Sequence, residues 1–274
     1  MSTISSPLPV AIKARHIQLK FGAKSILNDI NLDIYRGQVT ALLGPNGTGK
    51  SSLLKILSGE QALSNPINRH AGKTPSLHYF GRAQKDWQKS QLAKQLGMLP
   101  QHSTLTFPFL AKEVVELGGI PLGLNNHDLK HTTTKMMQQV GIPELSERSY
   151  PSLSGGEKQR VHLARVLTQL SHAQHNCIFM LDEPTSALDL AHQHNTLALA
   201  KSMASKGAAV IVVLHDLNLT AQYADRILLL NQGDIVADGA PWHTLTPDNI
   251  LQVYGYQTLV QAHPHYDFPV VHPV

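Results

Sequence analysis

An α/β fold with a mostly parallel core sheet is predicted by three features of this 274-residue chain. The apolar run Val39-Thr-Ala-Leu-Leu43 leads directly into a glycine-rich loop that opens a helical pattern. Between residues 156 and 223, apolar runs of strand length alternate with helical patterns. One of those runs, Ile178-Phe-Met-Leu181, ends in two adjacent carboxylates, Asp182 and Glu183. Strands separated by helices build parallel sheets, because each return crossover lays a helix over a sheet face.

Residues 12 to 43 read as strands, Ile17-Gln-Leu-Lys-Phe21, Leu32-Asp-Ile34 and Val39-Thr-Ala-Leu-Leu43, with Gly22 and Gly37 as breakers, and they suggest an N-terminal β-subdomain. Residues 51 to 57 have helical apolar spacing and should stop near Gly59. From about 60 to 95 the chain is polar and broken by Pro66, Gly72, Pro75 and Gly81, so a hairpin or loops with local strands are expected. Residues 110 to 150 hold two short helical patterns, Ala111 to Leu117 and His131 to Val140, separated by Gly118, Gly119 and Pro121. They read as a helical subdomain, about 102–153, inserted into the core. A helix over 156–170, strand 178–181, a helix near 190–205, strand 210–214 and a helix over 217–223 follow. The runs 227–230 and 234–237, split by Asn231-Gln-Gly233, read as a hairpin. The main domain is thus 10–255, and 256–274 is expected to be a C-terminal tail.

Composition sets outer limits. With 42% hydrophobic and 15% charged residues, the chain can bury one core with room for a subdomain. A net charge of +4 without a long Lys/Arg block argues against nucleic acid as a partner. The single cysteine, Cys177, excludes an intrachain disulfide and reads as a buried strand residue. The first residues lack the basic start and apolar core of a secretory leader, so a cytoplasmic location is expected. No apolar stretch approaches the roughly 20 residues of a membrane helix, which leaves any membrane crossing to another polypeptide.

The loop Gly44, Pro45, Asn46, Gly47, Thr48, Gly49, Lys50, Ser51 has the spacing of a phosphate-binding loop, in the strand-loop-helix context that such a loop requires. Backbone amides converge on phosphate oxygens, the helix start adds positive potential, Lys50 reaches the terminal phosphates and Ser51 offers a hydroxyl to Mg2+. Ser52 continues the helix start. Asp182 and Glu183 should emerge at the carboxyl end of a buried strand, where α/β sheets bind ligands. Asp182 would hold Mg2+, and Glu183 would accept a proton from the water that attacks the γ-phosphate of ATP. Ser154-Gly-Gly-Glu157 is a capping box, and its helix start also presents backbone donors to an anion. This helix cannot cap the nucleotide that its own phosphate loop wraps, so a head-to-tail dimer with two ATPs between facing loops is the economical arrangement.

These three motifs in this order, with Leu153-Ser-Gly-Gly-Glu157 between the loop and the carboxylates, closely resemble the ATP-binding cassette (ABC) family over nearly the whole chain. The resemblance implies a P-loop NTPase nucleotide-binding domain that binds ATP and Mg2+. It implies that Gln101 senses the γ-phosphate side, couples to the transporter and helps to hold Mg2+, and that His215 contacts the γ-phosphate. Ser154, Gly155 and Gly156 would complete the site of a second copy. The segment Ser186-Ala-Leu-Asp189 would cross the interface, and Phe21 would stack on adenine; otherwise Phe21 is a core residue of its strand.

One ATPase site, no membrane span and a helical subdomain after Gln101 suit the detached motor of a bacterial importer. Such a homodimer would lie on the cytoplasmic face of the inner membrane against two permease subunits, served indirectly by a periplasmic binding protein. The docking groove should lie between Gln101 and the helical subdomain, with Phe107-Pro-Phe109 and Val114-Val-Glu-Leu-Gly118 either lining it or packing the subdomain. Leu99-Pro-Gln-His102, Phe107-Pro-Phe109, Leu188-Asp-Leu-Ala-His-Gln-His194 and His263-Pro-His265 resemble hemin-importer ATPases, relatives of the ferric-siderophore and cobalamin group. The resemblance departs at Gly119, where arginine is expected, and in the segment 61–85.

Sixteen histidines do not make this chain a heme or metal carrier. His192 and His194 are two apart on a predicted helix and face different ways. His263, His265 and His272 fall in a proline-containing tail without metal-ligand spacing. A soluble ABC protein of translation or repair would bring a second cassette or long coiled coils, neither of which is present. A GTPase would need an Asn-Lys-x-Asp segment, and a small-molecule kinase has no use for residues 153–157.

Overall fold

The computed structural model describes residues 8–63, 74–101, 105, 107–174 and 176–274. The expectations for the first seven residues, for His102 and for the middle of the 61–85 segment lie outside the described residues.

In chain order the elements are β1 (Val10–Phe21), β2 (Lys24–Tyr35), β3 (Gln38–Leu43), α1 (Lys50–Ser58), β4 (Ser76–Tyr79), β5 (Arg82–Ala83), α2 (Lys89–Leu92) and β6 (Leu96–Leu99). The helical part follows with α3 (Ala111–Glu116), α4 (Asn126–Gln139) and α5 (Gly155–Leu170). Then come β7 (Ile178–Asp182), α6 (Leu190–Ser205), β8 (Ala209–Val213), α7 (Leu217–Tyr223), β9 (Arg226–Asn231) and β10 (Asp234–Gly239). The chain closes with α8 (Pro241–Thr244), α9 (Pro247–Tyr254), β11 (Thr258–Ala262) and β12 (Pro269–Pro273).

Among the described residues the core sheet has the order β10-β9-β3-β8-β7-β6, parallel from β9 to β6, with β10 antiparallel at one edge. A second sheet, β2-β1-β4-β5, is antiparallel and forms the expected N-terminal β-subdomain. Strand periodicity distributes the core. Ile178, Met180, Ala209, Ile211 and Val213 pack with the antiparallel sheet and with α1, through Leu53, Leu54, Ile56 and Leu57. Phe179, Leu181, Val210 and Val212 point the other way, into a core shared with α3, α5 and α6. Each strand is buried on both faces, which is why these runs are continuously apolar rather than alternating.

Local chemistry sets the helix bounds. Gly59, in the left-handed region at φ 82°, caps α1, whereas α7 begins where Asp216 accepts from the amides of Asn218 and Leu219. α4 starts five residues before His131, because the Asn125 side chain accepts from the Asp128 amide at 2.9 Å and nucleates a polar first turn that apolar periodicity does not reveal.

The structure decides between the two readings of the helical subdomain's apolar residues and gives the C-terminal segment a fold. Val114 and Val115 are fully buried in the helical subdomain and pack it rather than line a docking groove, while Phe107 is exposed. Residues 256–274 are no free tail: β11 and β12 pair as a hairpin from Thr258↔Pro273 to Ala262↔Pro269. The hairpin is pinned to α7 by Asn218, which accepts from the Val271 amide at 2.8 Å and donates to the Val271 carbonyl at 3.2 Å. Gly119, where the resemblance led to the expectation of arginine, is buried, and a β-carbon there would lie 2.3 Å from the Leu129 side chain. Among the described residues no helix is long and apolar enough to cross a membrane.

Candidate functional site

Three neighbouring strands deliver the polar groups of the site from their carboxyl ends. β6 leads to Gln101, β7 ends at Asp182 and Glu183, and β8 leads to His215. Beside them, β3 runs into the glycine-rich loop and α1. The loop needs glycine at position 49: φ is 98°, and a β-carbon there would lie 2.9 Å from the Ile26 carbonyl of β2. The antiparallel sheet thus presses directly on the loop.

Lys50 is buried and folds over the loop, donating to the carbonyls of Gly44 at 2.7 Å and Pro45 at 2.8 Å. Burial lowers its pKa, against the pull of Glu183 and Asp182. Thr48 Oγ1 donates to the Pro45 carbonyl at 2.9 Å and ties the loop crest. Asp182 is also buried and accepts from Ser51 Oγ at 3.1 Å. Burial pushes the Asp182 pKa up; the Ser51 hydrogen bond and the two lysines, Lys55 and Lys50, pull it down, while Glu183 adds to the rise. A hydroxyl and a carboxylate side by side are the hard oxygen donors that Mg2+ prefers, so the pair fits that ion.

Glu183 has a left-handed backbone, φ 50°, an uncommon conformation for a non-glycine residue. Its carbonyl accepts from Ser186 Oγ at 3.1 Å and Gln159 Nε2 at 3.3 Å, and its amide donates to the Val213 carbonyl at 3.2 Å. These contacts turn the side chain toward its partners. Gln101 Nε2 donates to Glu183 Oε2 at 2.6 Å, and His215 Nε2 lies 2.6 Å from Oε1. Both carboxylate oxygens are held. Gln101, expected also at the metal, directs its amide nitrogen to Glu183.

These groups border an open cavity of about 740 Å3, lined by Asn46, Gly47, Gly49, Lys50, Ser51, Ser52, Gln101, Glu183 and His215, with Phe21, Lys24 and Ile26 at its β-sheet side. Phe21 is 59% exposed, so it is not a core residue of its strand but an available apolar face.

Ser154, Gly155, Gly156 and Asp189 do not line this cavity. Ser154 caps α5: its Oγ accepts from the Glu157 amide at 3.3 Å while Glu157 Oε2 accepts from the Ser154 amide at 2.7 Å. Those bonds, with Arg148, hold the Glu157 pKa below the usual carboxylate range. A β-carbon on Gly156 would lie 2.9 Å from the Ala187 carbonyl, so the helix start packs tightly on the segment 186–189. Asp189 in turn caps α6, accepting from the His192 amide at 2.9 Å. His194, two residues on, meets Tyr223 Oη at 2.8 Å, so it and His192 form no ligand pair.

Sequence reasoning missed Gln159, whose only signal is its place one turn into the helix after Ser154, and Lys24 and Ile26, which a strand pattern does not distinguish from their neighbours.

Residues 27–186 match the family model for ABC transporters. A hemin import ATP-binding protein of Aliivibrio fischeri is 60% identical over 262 residues, covering 96% of this chain and 97% of that protein. One from Photobacterium damselae subsp. damselae is 55% identical over 270 residues, 98% of each chain. Among solved structures, an inward-facing conformation of a metal-chelate type ABC transporter shares 25% identity, with a TM-score of 0.77 over 97% of this chain and 98% of that one. A nucleotide-free ATP-binding cassette shares the fold at 18% identity and a TM-score of 0.70, covering 90% and 95%.

Proposed function

The chain belongs to the ABC transporter family, and from that premise we propose that it is the ATP-hydrolysing subunit of an importer that brings hemin across the bacterial inner membrane. The observation that carries the hydrolytic role is the double hold on Glu183, with Gln101 on one oxygen and His215 on the other. The hemin assignment draws on the names of its relatives.

ATP would lie along the loop with its phosphates at the start of α1, where amides and the helix dipole favour negative charge. Lys50 would exchange its two carbonyl partners for the terminal phosphates. Ser51 and Asp182 would hold Mg2+, which when bound offsets charge on the phosphate oxygens. Glu183 would orient the attacking water and take its proton, with Gln101 and His215 fixing the carboxylate. Phe21 would offer its exposed ring to the adenine base.

Ser154, Gly155, Gly156 and Asp189 lie outside the cavity of their own chain, which favours an antiparallel homodimer in which each ATP is clasped by two copies. Loss of the γ-phosphate contacts would then loosen the interface and drive opening. Two permease subunits would carry the membrane path, a periplasmic protein would deliver cargo, and this subunit would sit peripherally on the cytoplasmic face.

The decisive experiment is ATP turnover by the reconstituted complex. Heme-loaded periplasmic binding protein should raise phosphate release several-fold over the unloaded protein. Stimulation by a ferric-siderophore or cobalamin carrier instead would transfer the cargo, and turnover indifferent to any permease would remove the transport role.

A further inference from the structure

The helix that follows His215 is held at both ends from outside. With seven residues, Leu217–Tyr223, α7 is too short to be stable by its own hydrogen bonds. At its far end Tyr223 Oη meets His194 Nδ1 of α6 at 2.8 Å. At its near end the hold comes from the C-terminal hairpin. Asn218 Oδ1 accepts from the Val271 amide at 2.8 Å, and Asn218 Nδ2 donates to the carbonyl of the same residue at 3.2 Å. A single bond would leave the helix free to pivot, whereas two bonds to one backbone unit fix orientation as well as distance, as a ladder pair in a sheet does. Val271 stands opposite Val260 in the hairpin, is 6% exposed and packs with Val260 and Phe268 into the main core, so its side of the contact is anchored.

The other side of the contact lies three residues from His215. Asp216 caps α7 by accepting from the amides of Asn218 and Leu219, each at 2.8 Å, and its carbonyl accepts from Thr220 Oγ1 at 2.7 Å. His215 is therefore the last residue before a tightly bonded first turn, and a rotation of that turn moves the ring against Glu183. The His215 side chain is 42% exposed, so packing alone does not set its place. Asparagine is a weaker helix former than alanine, and Asn218 spends its side chain on the hairpin rather than on its own helix. We propose that Asn218 is a positioning residue for His215, with the β11–β12 hairpin as the fixed point against which it acts. This rests on the reading of the cavity as an ATP-hydrolysing site. With the first turn held, the ring stays at Glu183 Oε1 and the carboxylate keeps both partners; with the turn released, only Gln101 holds it.

Asn218 is itself exposed, so Asn218→Ala removes no core packing and the full chain should fold. The first readout is the ring nitrogen signal of His215 in 15N-histidine-labelled protein, assigned by its loss in His215→Ala. In Asn218→Ala it should move toward its position in Glu183→Ala, where the contact is gone. Tyr223→Phe, which removes a hydrogen bond from the far end of the same helix, should leave the signal in place. In ATP turnover by the reconstituted complex, Asn218→Ala should lower kcat about three- to tenfold, the span that one or two net hydrogen bonds supply, and leave KM for ATP within about twofold. In a His215→Ala background the same substitution should cost nothing further. An unmoved His215 signal, an equal loss of kcat in Tyr223→Phe, a raised KM with kcat unchanged, or an additive loss over His215→Ala would each overturn the proposal. If the wild-type complex hydrolyses no ATP, the hydrolytic reading falls by itself, and the His215 signal alone then decides whether Asn218 positions the ring.

Discussion

His215 Nε2 lies 2.6 Å from Glu183 Oε1, so side chains delivered by the neighbouring strands β8 and β7 meet at the floor of the nucleotide cavity. The contact uses one carboxylate oxygen while Gln101 uses the other, which fixes the carboxylate plane. A water approaching the cavity therefore meets a carboxylate whose orientation is set before any substrate arrives.

Glu183→Gln keeps the shape and removes the proton acceptor. Turnover should fall by about 10²–10⁴, the usual contribution of general base catalysis. ATP should still bind, and a dimer should accumulate on size-exclusion chromatography when ATP is present. Unimpaired phosphate release without a trapped dimer would deny Glu183 the role of base.

Ser154→Arg tests the second half of each site. The residue is exposed and serves its own chain only as a helix cap, whose loss costs about 0.5–2 kcal/mol, so the monomer should remain folded and bind ATP. ATP-dependent dimerisation and turnover should both be abolished. Turnover that persists, independent of protein concentration, would mean that one copy suffices.

Gly156→Ala places a β-carbon 2.9 Å from the Ala187 carbonyl, and neither backbone can yield freely. Denaturant titration should register a loss of about 1–3 kcal/mol, as overpacking usually gives. The segment 186–189 should shift, and dimerisation should weaken more than nucleotide binding by the monomer. A stability equal to wild type would show that the helix start can slide on this segment.

His162 sets a pH dependence. Burial and the nearby Arg165 lower its pKa from 6.5 to about 4. The unfolded chain therefore binds a proton below pH 6.5 that the folded chain refuses until about pH 4. Stability from this residue is intact above pH 6.5 and is lost progressively as pH falls toward 4, by about 3 kcal/mol at the lower end. His162→Gln should flatten the difference in unfolding free energy between pH 7 and pH 4.5 by a large part of that amount. Parallel pH profiles for the two proteins would contradict the assignment.

The amino-acid sequence alone determined the contiguous chemistry: the loop from Gly44 to Ser51, the strand ending in Asp182 and Glu183, and the capped helix start at Ser154. Each depends on neighbours a few residues apart, so spacing suffices, and the bounds of α7 follow in the same way from Asp216 and local periodicity. Four-residue β6, interrupted by Gly97, carries too little pattern to be read as a strand, yet it is the element that brings Gln101 to the site. Only the tertiary structure decided that Gln101, Glu183 and His215, spread over more than a hundred positions, share one carboxylate, because parallel pairing of β6, β7 and β8 aligns their carboxyl ends. The same holds for Val114, Val115 and the C-terminal hairpin. Burial depends on which surfaces meet across the sheet, a long-range outcome that no local pattern encodes.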